Sequence, residues 1–305
     1  MKIIFCCNPI QQAHPDPIYE KEYNIAKSLD FDTSLICIED LIYFNNPTKA
    51  IKNVPHNSEL IPALYRGWML TPEQYTVLYN SLLAKNVRLI NSPKNYMHCH
   101  YLPESFETIK DMTAKTIWFD KNQLNTHLLD EIIKQVSLTF GSSPLIIKDY
   151  VKSRKHEWDD ACYIADASDG KEVMRVLSNF LQRQGSELNK GIVFREFLKL
   201  SFLTHHHKSN MPLTKEFRLF FLHGNLMQVM NYWDEGEYSD LHPDVSQFIE
   251  VAKKIRSPFF TMDIALTADE QWVIIELGDG QVSGLPENAN LNEFYANFRH
   301  IKADQ

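Results

Sequence analysis

The chain changes about two-thirds of the way along from strands that alternate with helices to strands that follow one another directly. Near the N-terminus, amphipathic stretches are interspersed with apolar runs of strand length at 2–7, 33–38, 63–69 and 87–93. Apolar strands alternating with helices are typical of an open α/β sheet whose strands are largely parallel. This pattern predicts a first α/β domain over residues 1–92.

The rest of the chain, 93–305, is predicted to be α+β with two lobes at about 93–195 and 196–305. Strands are expected at 115–119, 144–151 and 191–200, and helices at 101–111, from about Asn125 to Phe140, at 171–184 and at about 243–255. Two hairpins follow from period-two alternation and turn residues. The first turns at His223-Gly224, and the second joins 259–266 to 271–278.

Charge and hydropathy exclude several classes of protein. The 39 acidic and 31 basic side chains give a net charge of −8 without any block of like charge, which argues against a nucleic-acid partner. The longest apolar runs are far shorter than a membrane span requires, so no membrane partner is expected. Five scattered cysteines and an N-terminus without a cleavage site predict reduced thiols and a cytoplasmic location.

Glycine is scarce, with 10 in 305 residues, about half the usual share of roughly 7%. The chain contains neither G-x-G-x-x-G nor G-x-x-x-x-G-K-[ST], so the glycine-rich phosphate loops are excluded at the motif level. The one cluster, Gly278, Gly280 and Gly284, follows Glu276 directly. Any phosphate is therefore expected to be bound by lysine, arginine and metal, with flexible backbone beside the carboxylates.

Two carboxylates interrupt the apolar strands of the last hairpin. Asp263 lies in FFTMDIAL and Glu276 in WVIIELG, 13 residues apart across a short turn. A carboxylate in an apolar strand is costly unless a cation meets it, and two adjacent carboxylates repel each other. Mg²⁺ favours one or two carboxylates with substrate phosphates, which predicts a metal site here, with Asp279 or Gln281 as further oxygen ligands.

Basic residues at three positions are candidates for binding phosphate. Lys148 closes the apolar run PLII, and strand alternation would put Lys152 on the same face. A solvated basic loop is the alternative interpretation of this segment. Arg218 follows Glu216 by two residues on one face of a strand, where its planar fork suits phosphate oxygens and a cross-strand salt bridge is the alternative.

Other polar clusters give weaker signals. Arg195 and Glu196 in GIVFREFLKL form either a solvent-facing pair or the start of a hinge that binds adenine through its backbone. The clusters 98–100 (His-Cys-His) and 205–207 (His-His-His) lack a second ligand group at zinc spacing. We interpret the triple histidine as an exposed loop.

These stretches, in their order along the chain, resemble ATP-grasp proteins. The resemblance is carried by PLIIKDYV, FREFLKL, KEFRLFF, TMDIAL and IELGDGQ, and YRGWML and KDYVKSRKHEW are similar to a bacterial and phage clade marked by an arginine and two lysines. It implies two lobes that clasp ATP, usually with Mg²⁺. It also implies that a carboxylate attacks the γ-phosphate to form an acylphosphate, which an amine then captures.

The resemblance also implies roles for individual residues. Lys148 would contact ATP, Glu196 and Leu198 would lie at the adenine hinge, and Arg218 would steady the γ-phosphate. Asp263 and Glu276 would hold Mg²⁺. Lys152 and Arg66 would be the clade-specific basic groups, with Arg66 reaching from the first domain toward an acidic substrate.

Two features depart from the family pattern. Gly278 stands where many members have the asparagine of Glu-x-Asn, so Asp279 or Gln281 would have to supply any third metal ligand. KDYVKSRKHEW replaces the small glycine-rich flap. The main hypothesis is an ATP- and Mg²⁺-dependent ligase that joins the carboxylate of a small molecule or peptide to an amine. A catalytically silent nucleotide-binding module and an ATP-dependent enzyme acting on nucleic acid are the alternatives, and the sequence is silent on oligomeric state.

Overall fold

The computed structural model describes residues 1–124, 128–299 and 301. The helices are α1 (Glu20–Ser28), α2 (Ile38–Ile42), α3 (Pro47–Ala50), α4 (Pro72–Leu83), α5 (Pro93–His100), α6 (Leu102–Ile109), α7 (Leu129–Phe140), α8 (Trp158–Ala161), α9 (Gly170–Gln184), α10 (Ser246–Ala252) and α11 (Leu291–Ala296). The strands are β1 (Lys2–Cys6), β2 (Asp32–Ile36), β3 (Ile61–Arg66), β4 (Val87–Leu89), β5 (Thr116–Asp120), β6 (Leu145–Asp149), β7 (Tyr163–Ile164), β8 (Gly191–Glu196), β9 (Phe202–His205), β10 (Pro212–Thr214), β11 (Glu216–Leu222), β12 (Asn225–Asn231), β13 (Phe259–Leu266) and β14 (Trp272–Asp279). The predicted start of a helix at Asn125 lies outside the described residues.

The first sheet has the strand order β2-β1-β3-β4, and its neighbouring strands are parallel. Its central strand β1 is buried along its whole length, as expected when both faces of a parallel sheet are covered. The predicted α/β fold of the N-terminal part is confirmed.

The other two large sheets are antiparallel. The second sheet has the order β5-β8-β6-β7 and packs against α7 and α9. The third has the order β12-β11-β13-β14 and contains both predicted hairpins. The α+β character of the remaining chain is therefore confirmed.

Some elements differ from those predicted. A short hairpin of β9 and β10 was not expected, and its connection carries the histidine run. Helix α6 lies within the predicted helix at 101–111, whereas α5, immediately before it, was not expected. The two helices are separated at Tyr101, which has an extended backbone. Helix α5 begins after Ser92, whose hydroxyl accepts a hydrogen bond from the Asn95 N–H at 3.3 Å, with Pro93 at its first position.

The third sheet lies between the other two. One cluster of aromatic and aliphatic side chains joins Phe5 and Leu64 of the first sheet to Phe220 and Phe259 of the third. On the other side, Arg195 of β8 donates to the carbonyl oxygens of Ile274, at 3.1 Å, and Ile275. Arg195 is buried rather than solvent-facing, and the third sheet is thereby attached to both neighbouring sheets.

Candidate active site

Arg218, Asp263 and Glu276 lie side by side on three neighbouring strands. Arg218 of β11 is directly opposite Asp263 of β13, and Asp263 is directly opposite Glu276 of β14. Directly opposite residues of antiparallel strands point to the same face, with Cβ atoms roughly 5 Å apart. The register thus produces a row of one cation and two carboxylates.

Arg218 holds Asp263 through both ends of its guanidinium fork. Its Nε and Nη2 atoms each lie 2.8 Å from a carboxylate oxygen of Asp263, and its Nη1 donates to the Gly284 carbonyl at 3.1 Å. Burial raises the pKa of Asp263, and Arg218 acts against that shift. The alternative interpretation of Arg218, a cross-strand salt bridge, is therefore present in the structure, and its partner is Asp263.

Lys148 faces Glu276 from the second sheet. Its Nζ lies 3.5 Å from Oε2 of Glu276, whose side chain is 40% exposed. Burial lowers the pKa of Lys148, and Glu276 opposes this shift. Burial acts to raise the pKa of Glu276, but Lys148, Lys155 and other cations outweigh it and hold that pKa below its ordinary value. Glu276 is therefore an ionised carboxylate at neutral pH.

Lys152 reaches the same cavity by a turn and not by strand alternation. Strand β6 ends at Asp149, whose N–H donates to the Lys152 carbonyl at 2.9 Å. The Asp149 carboxylate accepts from the N–H groups of Val151 and Lys152, at 2.7 and 2.5 Å, and from the side chains of Gln184 and Asn189. The alternation argument was wrong in its reason, because this buried carboxylate folds the chain back.

A cavity of about 230 Å³ collects these side chains. Its lining includes Lys148, Lys152, Arg218, Asp263 and Glu276. A larger cavity of about 660 Å³ lies elsewhere, beside β12 and the 236–245 segment, and contains none of them. The smaller cavity is therefore the candidate active site.

The donor set of this cavity fits Mg²⁺. Asp263 and Glu276 offer carboxylate oxygens from adjacent positions, and a carboxylate oxygen keeps a further lone pair when it accepts one hydrogen bond. The Asp263 oxygens can therefore face a cation while Arg218 stays bound. Two carboxylates with room for phosphate oxygens are typical of Mg²⁺ sites.

Asp279 also lines the cavity, but its carboxylate is already engaged by neighbouring groups of the chain. It is 1% exposed, and its Oδ2 accepts from Nδ2 of Asn91 at 2.5 Å. Its Oδ1 accepts from the backbone and side-chain N–H groups of Gln281, at 3.0 and 3.2 Å. Gln281 in turn donates to the Tyr75 hydroxyl at 2.8 Å. Both predicted third ligands are thus engaged in fastening β14 to the first domain.

Arg66 also departs from its predicted role. It is 1% exposed, and its Nε and Nη2 contact the Glu22 carboxylate at 2.8 and 2.9 Å. Its Nη1 donates to the carbonyls of Gly280, Gln281 and Ser283 at 2.8 to 3.2 Å. Arg66 is buried outside the cavity lining, whereas Arg218 is part of that lining. Arg66 therefore holds the turn after β14 and does not face the cavity.

A protein-family model matches the part of the chain that contains these cavity side chains. A model described as "ATP-grasp domain, R2K clade family 3" matches residues 139–298, which is just over half of the chain. The chain belongs to the ATP-grasp family. A comparison with curated proteins finds no match.

Solved ATP-grasp structures share the fold over nearly the whole chain. D-cycloserine synthetase DcsG is 9% identical with a TM-score of 0.61, covering 98% of both chains. D-alanyl-alanine synthetase A from Vibrio cholerae is 10% identical with a TM-score of 0.57, covering 100% of this chain and 95% of that one. The ATP-grasp ligase PsnB with its minimal precursor is 10% identical with a TM-score of 0.55, covering 97% of both.

The predicted hinge of this ATP-grasp chain connects the second sheet to the third. Glu196 ends β8, with its N–H donating to the Lys115 carbonyl at 2.9 Å. Farther on, Ser201 donates to the Leu266 carbonyl at 2.8 Å. Among the described residues, no hydrogen bond engages the backbone of Leu198. Its N–H and carbonyl are thus available to a ligand, and the adenine role stays a prediction.

The histidine run lies outside the ATP-grasp cavity. His206, His207 and Glu235 bring possible ligand atoms within 4.8 Å of one another. Glu235 already lies 2.6 Å from Nδ1 of His207, and the N–H groups of Lys208 and Ser209 donate to Nδ1 of His206. A neutral imidazole whose Nδ1 accepts carries its own proton on Nε2, and Nε2 of His206 lies 3.6 Å from Oε1 of Glu235.

The residues that sequence reasoning missed are the buried partners of the site. Glu22, Asn91 and Asp149 each orient a segment of the cavity wall. Glu22 and Asn91 stand in no motif, and Asp149 lies in KDYVKSRKHEW without an assigned role. His100 was noticed only as part of a possible metal cluster, yet it lines the cavity. The sequence signal for Asp149 is its position as a charged residue at the end of the apolar run PLII.

No helix in the described part of the chain is both long enough and apolar enough to cross a membrane. The five cysteines are free and buried.

Proposed function

We propose that this chain is an ATP- and Mg²⁺-dependent ligase that joins a carboxylate to an amine through an acylphosphate. One observation carries the proposal: Lys148, Lys152 and Arg218 converge with Asp263 and Glu276 on a single cavity. Three cations beside two carboxylates suit a triphosphate with its metal ion.

Each group has a part in this reaction. Lys148 and Lys152 would neutralise phosphate oxygens in place of the missing glycine-rich loop, and Asp263 and Glu276 would hold Mg²⁺. The ion would supply charge neutralisation on the phosphates. The free backbone of Leu198 supports adenine binding at the hinge. Most of the rate would then come from positioning and from electrostatic stabilisation of the transferring phosphoryl group.

The proposed reaction has two steps. A substrate carboxylate oxygen attacks the γ-phosphorus, the bond to the β-γ bridging oxygen breaks, and ADP leaves with the electron pair. The amine nitrogen then attacks the acyl carbon, and phosphate leaves as the amide bond forms. Arg218 reaches the cavity already oriented by Asp263 and by the Gly284 carbonyl, so it can steady the developing charge without reorganising.

The solved relatives support the cofactors and the substrate class. PsnB was determined with a minimal precursor, Mg and ADP, with a TM-score of 0.53 to this chain. Another structure contains PsnB with a precursor peptide and AMPPNP. For this chain we propose a small molecule or a peptide as the carboxylate donor, with the same nucleotide and metal.

The decisive test replaces Glu276 by Gln and measures MgATP turnover. The chain is screened with the standard amino acids and dipeptides as carboxylate and amine donors, with phosphate release and mass spectrometry as readouts. Glu276→Gln should lower turnover by at least about 100-fold, with thermal unfolding close to wild type because the side chain is partly exposed. The matched control is Glu250→Gln on α10, where the exposed carboxylate contacts only Lys253.

Product identity separates the hypotheses. ADP with phosphate supports the acylphosphate route, and AMP with pyrophosphate would replace it by adenylylation. Nucleotide binding without turnover would favour the silent module. Turnover that depends on added RNA or DNA would favour an enzyme acting on nucleic acid. Undiminished turnover in Glu276→Gln would refute the assignment of the metal site.

A further inference from the structure

His100 lines the candidate active site and has no assigned part in it. It is the last residue of α5 and is only 7% exposed. Its ring stacks on Tyr96 at a centroid distance of 5.0 Å and lies 5.3 Å from the ring of Tyr101. Among the described residues, neither ring nitrogen has a hydrogen-bond partner, and the groups that act on the ring are the charges of Lys152 and Lys148. A buried, rigidly packed imidazole therefore faces the cavity without a partner.

The charged side chains of the cavity are unsuited to accepting a proton. Lys148, Lys152 and Arg218 are donors without a lone pair. Asp263 and Glu276 already face cations. Asp279 also lines the cavity, but both of its carboxylate oxygens already accept hydrogen bonds, from Asn91 and from Gln281.

The neutral side chains of the cavity are no better placed. Burial raises the pKa of Tyr150 to about 12 and raises that of Cys99 well above its ordinary value. The hydroxyls of Thr261 and Ser283 bond to each other at 2.9 Å. Within the described lining, His100 is left as the neutral side chain with a basic lone pair.

The neighbours of His100 keep it unprotonated in the absence of a nucleotide. Burial and the charges of Lys152 and Lys148 lower its pKa to about 4. No carboxylate acts on its ring in the opposite direction. A triphosphate bound to the same two lysines would cancel their charge and make the imidazole more basic, because a nearby anion favours the protonated form. Nucleotide binding would therefore activate His100 as a base.

We propose that His100 is a catalytic residue that takes the proton from the attacking amine. This inference rests on the proposed function and assigns the one proton transfer that it leaves open. As the amine nitrogen bonds to the acyl carbon, the carbon–oxygen bond to phosphate breaks and phosphate leaves with the electron pair. The proton of the amine passes to a ring nitrogen of His100 and is later released to water.

The first test needs no substrate. The chain is labelled with ¹⁵N-histidine, and the His100 signals are identified by their loss in His100→Gln. The free imidazole should stay neutral down to about pH 5, and Mg-AMPPNP should raise its titration midpoint by at least about one pH unit. A midpoint near that of an exposed histidine in the free chain, or no response to Mg-AMPPNP, would overturn the proposal.

The second test separates amine capture from acylphosphate formation. With each donor pair that supports phosphate release, the amine is compared with hydroxylamine, which is neutral at physiological pH and needs no base. His100→Gln should slow amide formation roughly 100-fold or more, while hydroxamate formation and ATP affinity stay unchanged. Equal loss of both products would indicate a structural role and would overturn the proposal, as would normal amide formation.

The matched control is His98→Gln on the same helix. His98 is also buried, but it lies outside the cavity lining, and its Nδ1 is 3.5 Å from Nη2 of Arg256. This variant should form amide at the wild-type rate. If the wild-type chain forms no amide from any pair, the ligase proposal fails together with this one. If the wild-type chain forms amide and His100→Gln forms it at the same rate, the role of His100 is refuted while the ligase proposal stands.

Discussion

The buried pair of Arg66 and Glu22 offers a sharp test of how the first domain supports the active site. Replacing Arg66 by Met leaves the Glu22 carboxylate buried with only the Tyr295 hydroxyl, 2.5 Å away, as a partner. It also removes the donor from three backbone carbonyls of the turn after β14. Removing one member of a buried ion pair costs about 3–5 kcal/mol, and we expect a loss of that size.

A second substitution, Glu22→Leu, should restore part of the stability that Arg66→Met loses. In Arg66→Met with Glu22→Leu, no unpaired charge stays buried, and replacing both members of an ion pair by apolar side chains is often close to neutral. The double variant should therefore be more stable than Arg66→Met alone. The three carbonyls stay unpaired in both, so recovery should be incomplete.

Thermal unfolding measures both effects. An unfolding entropy of about 2.1 cal/mol/K per residue over 305 residues converts the expected loss into a Tm decrease of roughly 5–8 °C for Arg66→Met. Trp68, which donates to Asp16 in the first domain, reports local unfolding by fluorescence. A decrease below about 1 °C, or a double variant less stable than Arg66→Met, would refute the view of Arg66 as a buried structural clamp.

Two further predictions concern single side chains. Lys148→Met should weaken ATP binding, measured by calorimetry, roughly 10- to 100-fold, because a hydrogen bond to a charged group contributes about 1.5–3 kcal/mol. The control is Lys134→Met at an exposed position. If the two variants bind ATP with equal affinity, the phosphate role of Lys148 is contradicted. Burial raises the pKa of Asp279 to about 7, whereas an aspartate in the unfolded chain loses its proton near pH 4. Because the folded state binds this proton more tightly, the free energy of unfolding should fall as the pH rises from 4 to 7 and should level off above pH 7. Asp279→Asn should flatten that profile by up to about 4 kcal/mol, measured by urea unfolding, and identical profiles would contradict the shift.

The sheets could be predicted from the sequence because strand alternation and turn residues are local signals. A short hairpin brings Asp263 close to Glu276, but their direct alignment depends on a register irregularity between Asp263 and Ile264, without which Asp263 would lie opposite Ile275. Lys152 shows the limit of such reasoning, since its position depends on the buried Asp149 carboxylate, which organises residues up to 40 positions away. The positions of Arg66 and Asp279 depend on Glu22 and Asn91, which lie 44 and 188 residues away in the chain.

The glycine cluster after Glu276 has a different physical reason from the one expected. Among the described residues, the glycines with positive φ are Gly141, Gly185, Gly224 and Gly236, and none belongs to that cluster. A Cβ on Gly278 would lie 2.6 Å from the Thr261 hydroxyl, and one on Gly280 would lie 2.7 Å from the Phe259 ring. These positions therefore require the absence of a side chain and not an unusual backbone conformation.

Arg66 and Arg218 both contact the turn that contains these glycines. Arg66 binds the carbonyls of residues 280, 281 and 283 from the first domain, and Arg218 binds the carbonyl of Gly284 from within the cavity. Because both guanidinium groups hold one short segment, a shift of the first domain would move the Gly284 acceptor and with it the orientation of Arg218. If Arg218 binds phosphate as proposed, the first domain would contribute to that binding through the position of this turn, without any side chain of its own having to reach the phosphate.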